Sequence, residues 1–252
     1  MKPWHILNGD CLADQLRQTK INNDFIVCRE CLIDYKSDVS GITDFWTIRA
    51  KYFADNYNIP AREYFNKTVS EFEKINLIPH NSEVCLWFEN DLFCQVNMWF
   101  VISILSGHPT FKIFRVFPVP ENDEDIWKGF GTASTEKLEQ AYNSKIQLTP
   151  DDIELGKGLW AAYQDDDFEK LKELALSQSE CFEYLEEVCQ AHIDRFPTDK
   201  SSGRPDKVVK EIIGTRSEEF QIVFSEFTKR EGIYGYGDMQ LRIIYDRVMQ
   251  NR

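Results

Sequence analysis

Short apolar runs alternate with amphipathic patterns along the first 120 residues of the chain. The run at 84–88 is apolar throughout, as expected of a strand covered on both faces of a sheet, and all four runs predict strands. They occupy residues 4–8, 25–28, 84–88 and 111–117. Apolar residues at helical spacing follow at 10–20 and 44–56, after Pro60, and at 92–106. This alternation predicts right-handed crossovers and a mostly parallel sheet.

The pattern becomes helical in the second half of the chain. Residues 121–132, which are acidic and contain two glycines, indicate a linker, and the polar residues 198–205 indicate another. Between them, Thr149 followed by Pro150 predicts a capped helix start. We therefore expect an α/β part (1–120), an acidic helical section (121–197) and a small helical module (198–252) that one interpretation makes winged-helix-like.

The predicted fold class is α/β. The sheet is small, doubly wound and mostly parallel, of Rossmann or flavodoxin-like type, and an all-helical C-terminal part follows it. A flavodoxin-like strand order, 2-1-3-4, places the reversal of strand order between the first strand and the strand at 84–88.

Charge is spread unevenly along the chain. The net charge is −13 over 252 residues, and residues 121–197 alone carry about −12. Such acidity repels nucleic acid, so we expect no nucleic-acid partner. The longest apolar stretch, residues 96–105, falls far short of the roughly 20 residues that a membrane span needs. We expect a soluble, cytoplasmic protein that does not enter a membrane.

The seven cysteines are scattered, mostly in apolar surroundings. An odd, scattered set indicates reduced, buried thiols. Cys28 and Cys31 have the spacing of a redox or metal pair, but no second cysteine pair or histidine cluster accompanies them. We therefore expect no metal site built on cysteine.

Polar residues follow three of the predicted strands. In an open α/β sheet, ligands bind beyond the carboxyl ends of the strands, where strand order reverses. The candidates for general acid or base are Asp10, Glu30, Glu89 and Asp91, and those for ligand binding are Asn8, Gly9, Arg29, Arg49, Asn90 and Gln95. We expect these groups to meet at one edge of the sheet.

Six of these residues also have a structural interpretation. Asp10 and Asp91 are good helix N-caps, and Gly9 suits a tight turn. Arg29 and Glu30 can form ion pairs, and Arg49 can pair with a carboxylate instead of a ligand anion. In the functional interpretation, the arginines bind a carboxylate or phosphate, and the acids hold a divalent cation such as Mg²⁺ or transfer protons.

Several segments together resemble the bacterial domain-of-unknown-function family 1835. The matching pieces are residues 5–10, 28–32, 45–49, 86–91, 159–160 and 195–197. The resemblance spans most of the chain and implies an α/β unit followed by a helical part. It implies no known activity.

Two functions compete. The first is a small-molecule-binding α/β protein for a phosphorylated or carboxylate ligand, with hydrolase and transferase as its candidate reaction classes. The second is a regulator or adaptor that binds a protein, and less readily DNA, through its C-terminal helices. The chain lacks a Gly-x-Gly-x-x-Gly turn, a Walker loop, a Gly-x-Ser-x-Gly elbow and a His-Glu-x-x-His motif, so no reaction is indicated.

Overall fold

A five-stranded sheet organises the fold in the computed structural model, which describes residues 2–21, 24–34, 42–122, 125–198 and 201–251. Its strand order is β2-β1-β3-β4-β5. The first four strands pair in parallel, and β5 pairs antiparallel with β4. The strands are β1 (Trp4–Asn8), β2 (Phe25–Cys28), β3 (Glu83–Trp87), β4 (Lys112–Val116) and β5 (Ile146–Gln147). The predicted α/β class and the predicted order of the first four strands are confirmed.

Helices cover both faces of the sheet and form the second half of the chain. The helices of the α/β part are α1 (Asp10–Leu16), α2 (Ile42–Tyr57), α3 (Ala61–Tyr64), α4 (Ser70–Glu73), α5 (Leu92–Leu105) and α6 (Thr135–Asn143). Those that follow are α7 (Pro150–Gln164), α8 (Phe168–Ala175), α9 (Leu185–Asp194), α10 (Arg204–Thr215), α11 (Phe220–Arg230) and α12 (Asp238–Gln250). The helical C-terminal part is thus confirmed.

Helix α5 lies at the centre of the molecule. Eleven of its fourteen residues are buried, which fits a helix that is apolar on nearly every side. It contacts α7 and α9 and also the 3₁₀ turn Gly232–Tyr234. The other face of the sheet packs α1 and α6 around Leu7, Trp87 and Phe130.

Local details differ from the sequence expectation at three places. Gly9 rather than Asp10 is the N-cap of α1, and Asp10 makes no capping hydrogen bond because its carboxylate binds Arg29 instead. The helix after Pro60 is interrupted by a π-helical turn, Phe65–Val69. Strand β5 is only two residues long, too short to give a recognisable sequence pattern. Thr149 does cap α7, in a capping box with Asp152.

The C-terminal helices pack against the α/β part. The side chain of Gln240, on α12, donates hydrogen bonds to Asp34 at 3.2 Å and to Tyr57 at 3.3 Å. From residue 202 to 251, the described residues form helices and turns without the β-hairpin that a winged-helix module needs. No described helix has both the length and the apolar character required to cross a bilayer.

Candidate functional site

The carboxyl ends of three parallel strands lie side by side. Asn8 pairs with Cys28, and Leu7 pairs with Trp87, so the loops after β1, β2 and β3 leave the sheet at the same edge. The polar residues predicted from the sequence therefore lie at one edge. They differ in how deeply they are buried, however. Some lie inside the protein, whereas others line a cleft at the surface.

Glu89 and Asp91 are enclosed by two glycine-containing loops. A β-carbon added at Gly129 would lie 2.3 Å from Cγ of Glu89, and one added at Gly235 would lie 1.9 Å from Oδ1 of Asp91. Asp91 caps α5 by accepting the N–H of Cys94 at 3.0 Å. Burial raises the pKa of Glu89, and it raises the pKa of Asp91 to about 7. Asp91 is thus buried, whereas the Glu89 residue is only partly buried and its Oε2 has no hydrogen-bond partner among the described residues.

Asn90 and the carbonyl groups at the end of β3 bind Arg115, a residue that sequence reasoning missed. Its Nη2 donates to the carbonyl oxygens of Phe88 at 3.1 Å and Glu89 at 3.2 Å, and to Oδ1 of Asn90 at 3.3 Å. Complete burial lowers the pKa of Arg115 to about 10. An arginine inside the apolar run 111–117 was the signal that could have revealed it.

Asn97 links the loops after β1 and β2 from its place on α5. Its Nδ2 donates to Oδ1 of Asn8 at 3.0 Å and to the carbonyl of Glu30 at 2.9 Å, and its Oδ1 accepts the N–H of Leu32 at 3.3 Å. Asn8 in turn donates to Sγ of Cys94 at 2.9 Å. Asn8 thus joins the end of β1 to α5.

Arg49 and Glu30 form a fully buried ion pair. Nε and Nη2 of Arg49 reach Oε2 of Glu30 at 3.1 and 2.7 Å, and both side chains have no solvent exposure. The hydroxyl of Tyr64 also donates to Glu30. Burial alone would lower the pKa of Arg49, but Glu30 raises it above its usual value. The pair joins α2 to the loop after β2, and neither side chain has the exposure that contact with a ligand requires.

Gln95 is the one ligand-binding candidate on α5. It is fully buried, and its side-chain nitrogen and oxygen find no hydrogen-bond partner among the described residues. Because α5 packs against α7 and α9, this amide lies inside the molecule.

A cleft of about 620 Å³ opens at the carboxyl ends of β1 and β2. Asp10 and Arg29, which follow these strands, form one wall, and α3 with the π-helical turn forms the other. The lining residues are Asp10, Arg29, Phe53, Ile59, Glu63, Tyr64, Asn66, Lys67, Thr68 and Glu71. We call this the Arg29 cleft. It contains two of the ten residues proposed from the sequence.

Arg29 is held in place by groups on both sides of the cleft. Its Nε and Nη2 bind the two carboxylate oxygens of Asp10 at 2.8 and 2.7 Å, and its Nη1 donates to the carbonyl of Lys67 at 2.5 Å. The hydrogen bond from Arg29 lowers the pKa of Asp10, and the same bond raises the pKa of Arg29. Both groups are therefore charged at neutral pH.

The π-helical turn supplies Lys67 to the opposite wall. Nζ of Lys67 lies 2.6 Å from Oε1 of Glu63, and both side chains are well exposed. Single π turns within α-helices occur frequently at functional sites, because the extra residue alters which side chains face a pocket. Sequence periodicity could not reveal this turn, since Phe65, Val69 and Phe72 keep an ordinary helical spacing.

Metal-ligand geometry is not found in the described residues: no three of their His, Cys, Asp and Glu side chains converge to hold an ion. The cysteines form no disulfides, and Cys28 and Cys31 are both buried. Burial raises the pKa of each of these two thiols, to about 12 for Cys28.

Comparisons of the chain with protein-family models, curated protein sequences and solved structures found no match. The resemblance to family 1835 therefore stays a prediction, and function is argued from the Arg29 cleft itself.

Proposed function

We propose that this protein binds a small anionic molecule in the Arg29 cleft. The observation that carries the proposal is the position of the cleft, which opens beyond the carboxyl ends of two parallel strands and is lined there by a fixed Arg29–Asp10 pair. Ligand sites of open α/β sheets lie beyond this end of the strands. The volume, about 620 Å³, falls within the usual range of small-molecule sites.

Lys67 is the cation that a ligand can reach most easily. Its partner Glu63 is exposed, and exposed ion pairs contribute only about 0–1 kcal/mol, so a ligand phosphate or carboxylate can replace Glu63 at little cost. Arg29 has less freedom because Asp10 and a backbone carbonyl occupy its donors. Arg29 therefore contributes a fixed positive charge, and Lys67 contributes direct hydrogen bonds.

The remaining lining residues suit the rest of such a ligand. Phe53, Ile59 and Tyr64 offer apolar surface, while Asn66 and Thr68 offer hydrogen-bonding groups. A phosphorylated or carboxylate compound with an apolar or hydroxylated body fits this combination. A Mg²⁺ ion would have to displace the Arg29 guanidinium from Asp10, so we propose that the ligand is bound without one.

A hydrolase or transferase reaction would use a carboxylate of this cleft as a general base. Asp10 is poorly suited to that role, because both of its oxygens accept hydrogen bonds from Arg29 and its lowered pKa makes it a weaker base. The binding function does not depend on such a reaction.

The alternative function, an adaptor that works through the C-terminal helices, has no comparable support. Three arginines of this region already have acidic partners: Arg204 pairs with Glu231, Arg230 with Glu211, and Arg247 with Asp206. This internal neutralisation also argues against nucleic-acid binding, which needs free cationic side chains.

The proposal can be tested by identifying the small molecules that copurify with the protein. The wild type and Ile59→Trp, which fills the cleft, are purified in parallel and their bound compounds are compared by mass spectrometry. A phosphorylated or carboxylate compound present on the wild type and depleted at least tenfold on Ile59→Trp is expected. Equal amounts on both proteins would place that compound elsewhere.

A further inference from the structure

The Arg29 cleft is lined by charges of both signs, and its carboxylates outnumber its cations by three to two. The cations are Arg29 and Lys67, and the carboxylates are Asp10, Glu63 and Glu71. A purely anionic ligand adds to this negative excess, and a phosphate dianion adds twice as much as a carboxylate. A ligand that carries one charge of each sign leaves the balance of the cleft unchanged.

The positive charge of Arg29 is already offset from two sides. Asp10 accepts hydrogen bonds from Nε and Nη2, and Oε1 of Glu71 lies 3.5 Å from Nη1. Nη1 also donates to the backbone carbonyl of Lys67. Each of the three guanidinium nitrogens thus has an acceptor within the protein, so the charged groups that can change partner most readily are those of the opposite wall.

Lys67 and Glu63 form that wall as an exposed ion pair. Nζ of Lys67 lies 2.6 Å from Oε1 of Glu63, and the two side chains are 66% and 45% exposed. Exposed pairs of this kind contribute little to stability, so both side chains are free to bind a ligand instead of each other. An anionic group that takes Lys67 leaves Glu63 without its cation. An ammonium group on the same ligand replaces that cation.

Given the binding function proposed above, we propose that the ligand of the cleft is a zwitterion of the amino-acid type, whose carboxylate binds Lys67 and whose ammonium group binds Glu63. A carboxylate, with a single charge, suits the acidic lining better than a phosphate dianion. The rings of Phe53 and Tyr64, whose centres lie 5.1 Å apart, form an apolar wall together with Ile59. This wall suits an apolar or aromatic side chain of the ligand.

Phenylalanine and two analogues, each of which lacks one of its charges, separate the contributions of the two contacts. 3-Phenylpropionate has the carboxylate but no amine, and phenethylamine has the amine but no carboxylate. Binding of each compound to the full-length protein is followed at neutral pH by saturation-transfer NMR, up to about 20 mM. The wild type should bind phenylalanine about fivefold more tightly than either analogue, because each analogue loses one ion pair.

Glu63→Gln distinguishes the ammonium contact from a general loss of the site. It should weaken the binding of phenylalanine about threefold and leave 3-phenylpropionate bound as tightly as before or more tightly, because Lys67 loses its competing carboxylate. Glu154→Gln is the matched control, since it breaks a comparable exposed pair with Lys157 on α7 and should change neither affinity. Ile59→Trp, which fills the cleft, should remove the binding of phenylalanine.

Two results would overturn the zwitterion and leave anion binding in the cleft intact. They are equal affinities of the wild type for phenylalanine and 3-phenylpropionate, and an equal loss of both ligands in Glu63→Gln. Phenethylamine bound as tightly as phenylalanine would instead contradict the carboxylate contact with Lys67. Absence of phenylalanine binding, or its retention in Ile59→Trp, would also overturn the zwitterion, whereas the compounds that copurify with the protein decide separately whether the cleft binds an anion.

Discussion

Gly235 packs directly against the carboxylate of Asp91, with room for no side chain between them. Gly235 precedes the last helix and has a φ of 62°, whereas Asp91 caps the central helix α5. A β-carbon at Gly235 would lie 1.9 Å from Oδ1 of Asp91. This contact joins the C-terminal helices to the end of β3 and closes that part of the sheet edge.

Replacement of Gly235 by alanine should therefore destabilise the protein. The new methyl group must push against a backbone-anchored carboxylate, and the left-handed φ adds strain, so we expect a loss of about 2–4 kcal/mol. Gly214→Ala is the matched control, because Gly214 lies in α10 with open space around it. The control should gain about 0.5–1 kcal/mol. Urea unfolding measures both, and equal effects of the two substitutions would contradict the contact.

The pKa of Asp91 gives stability a specific pH dependence. Its folded-state pKa is about 7 against a reference value of 3.8, because burial disfavours the ionised form. The folded protein thus binds more protons than the unfolded chain, and the contribution is greatest below about pH 4 and is lost as the pH rises to about 7. Asp91→Asn keeps the cap and removes the charge.

We expect Asp91→Asn to be more stable than the wild type by roughly 1–4 kcal/mol at pH 8, and the two to converge near pH 4. Denaturant unfolding at both pH values measures the difference. A variant that is less stable than the wild type at pH 8 would show that Asp91 is ionised and favourably paired in the folded protein.

The Arg49–Glu30 pair should behave as scaffold. Arg49→Met leaves the carboxylate of Glu30 buried without its cation, which typically costs about 3–5 kcal/mol. Adding Glu30→Gln removes that charge and should restore part of the loss. Unfolding free energies of the single and double variants test this, and a single variant as stable as the wild type would show that the pair is dispensable.

The positions of four strands and of most helices could be predicted from the sequence because each has a local signal. The apolar run at 84–88 and the all-round apolar α5 can only be buried, and the capping sequence at Thr149 marks the start of α7. Ion pairs between residues that are distant in sequence have no such local signal. The sequence shows carboxylates and arginines near each strand end, but not that Arg29 binds Asp10 whereas Glu30 binds Arg49.

The sequence also could not show how deeply each polar residue of the candidate site is buried. Gly129 and Gly235 cover the carboxylates of Glu89 and Asp91, and both glycines are distant in sequence from the strand end. The wall opposite Arg29 depends on a π-helical turn that leaves the apolar spacing unchanged. Long-range packing therefore decided which of the predicted polar residues line a cleft.

Binding of a small anion in the Arg29 cleft can be measured by thermal-shift titration. A panel of phosphate monoesters and organic carboxylates is applied to the wild type, to Arg29→Met and to Lys67→Gln. The control is Lys157→Gln, which removes an exposed ion pair between Lys157 and Glu154 on α7. We expect at least one compound to stabilise the wild type and Lys157→Gln alike, and both cleft variants to lose this stabilisation while keeping the fold. A panel that stabilises none of the proteins, or stabilises all four equally, would contradict it.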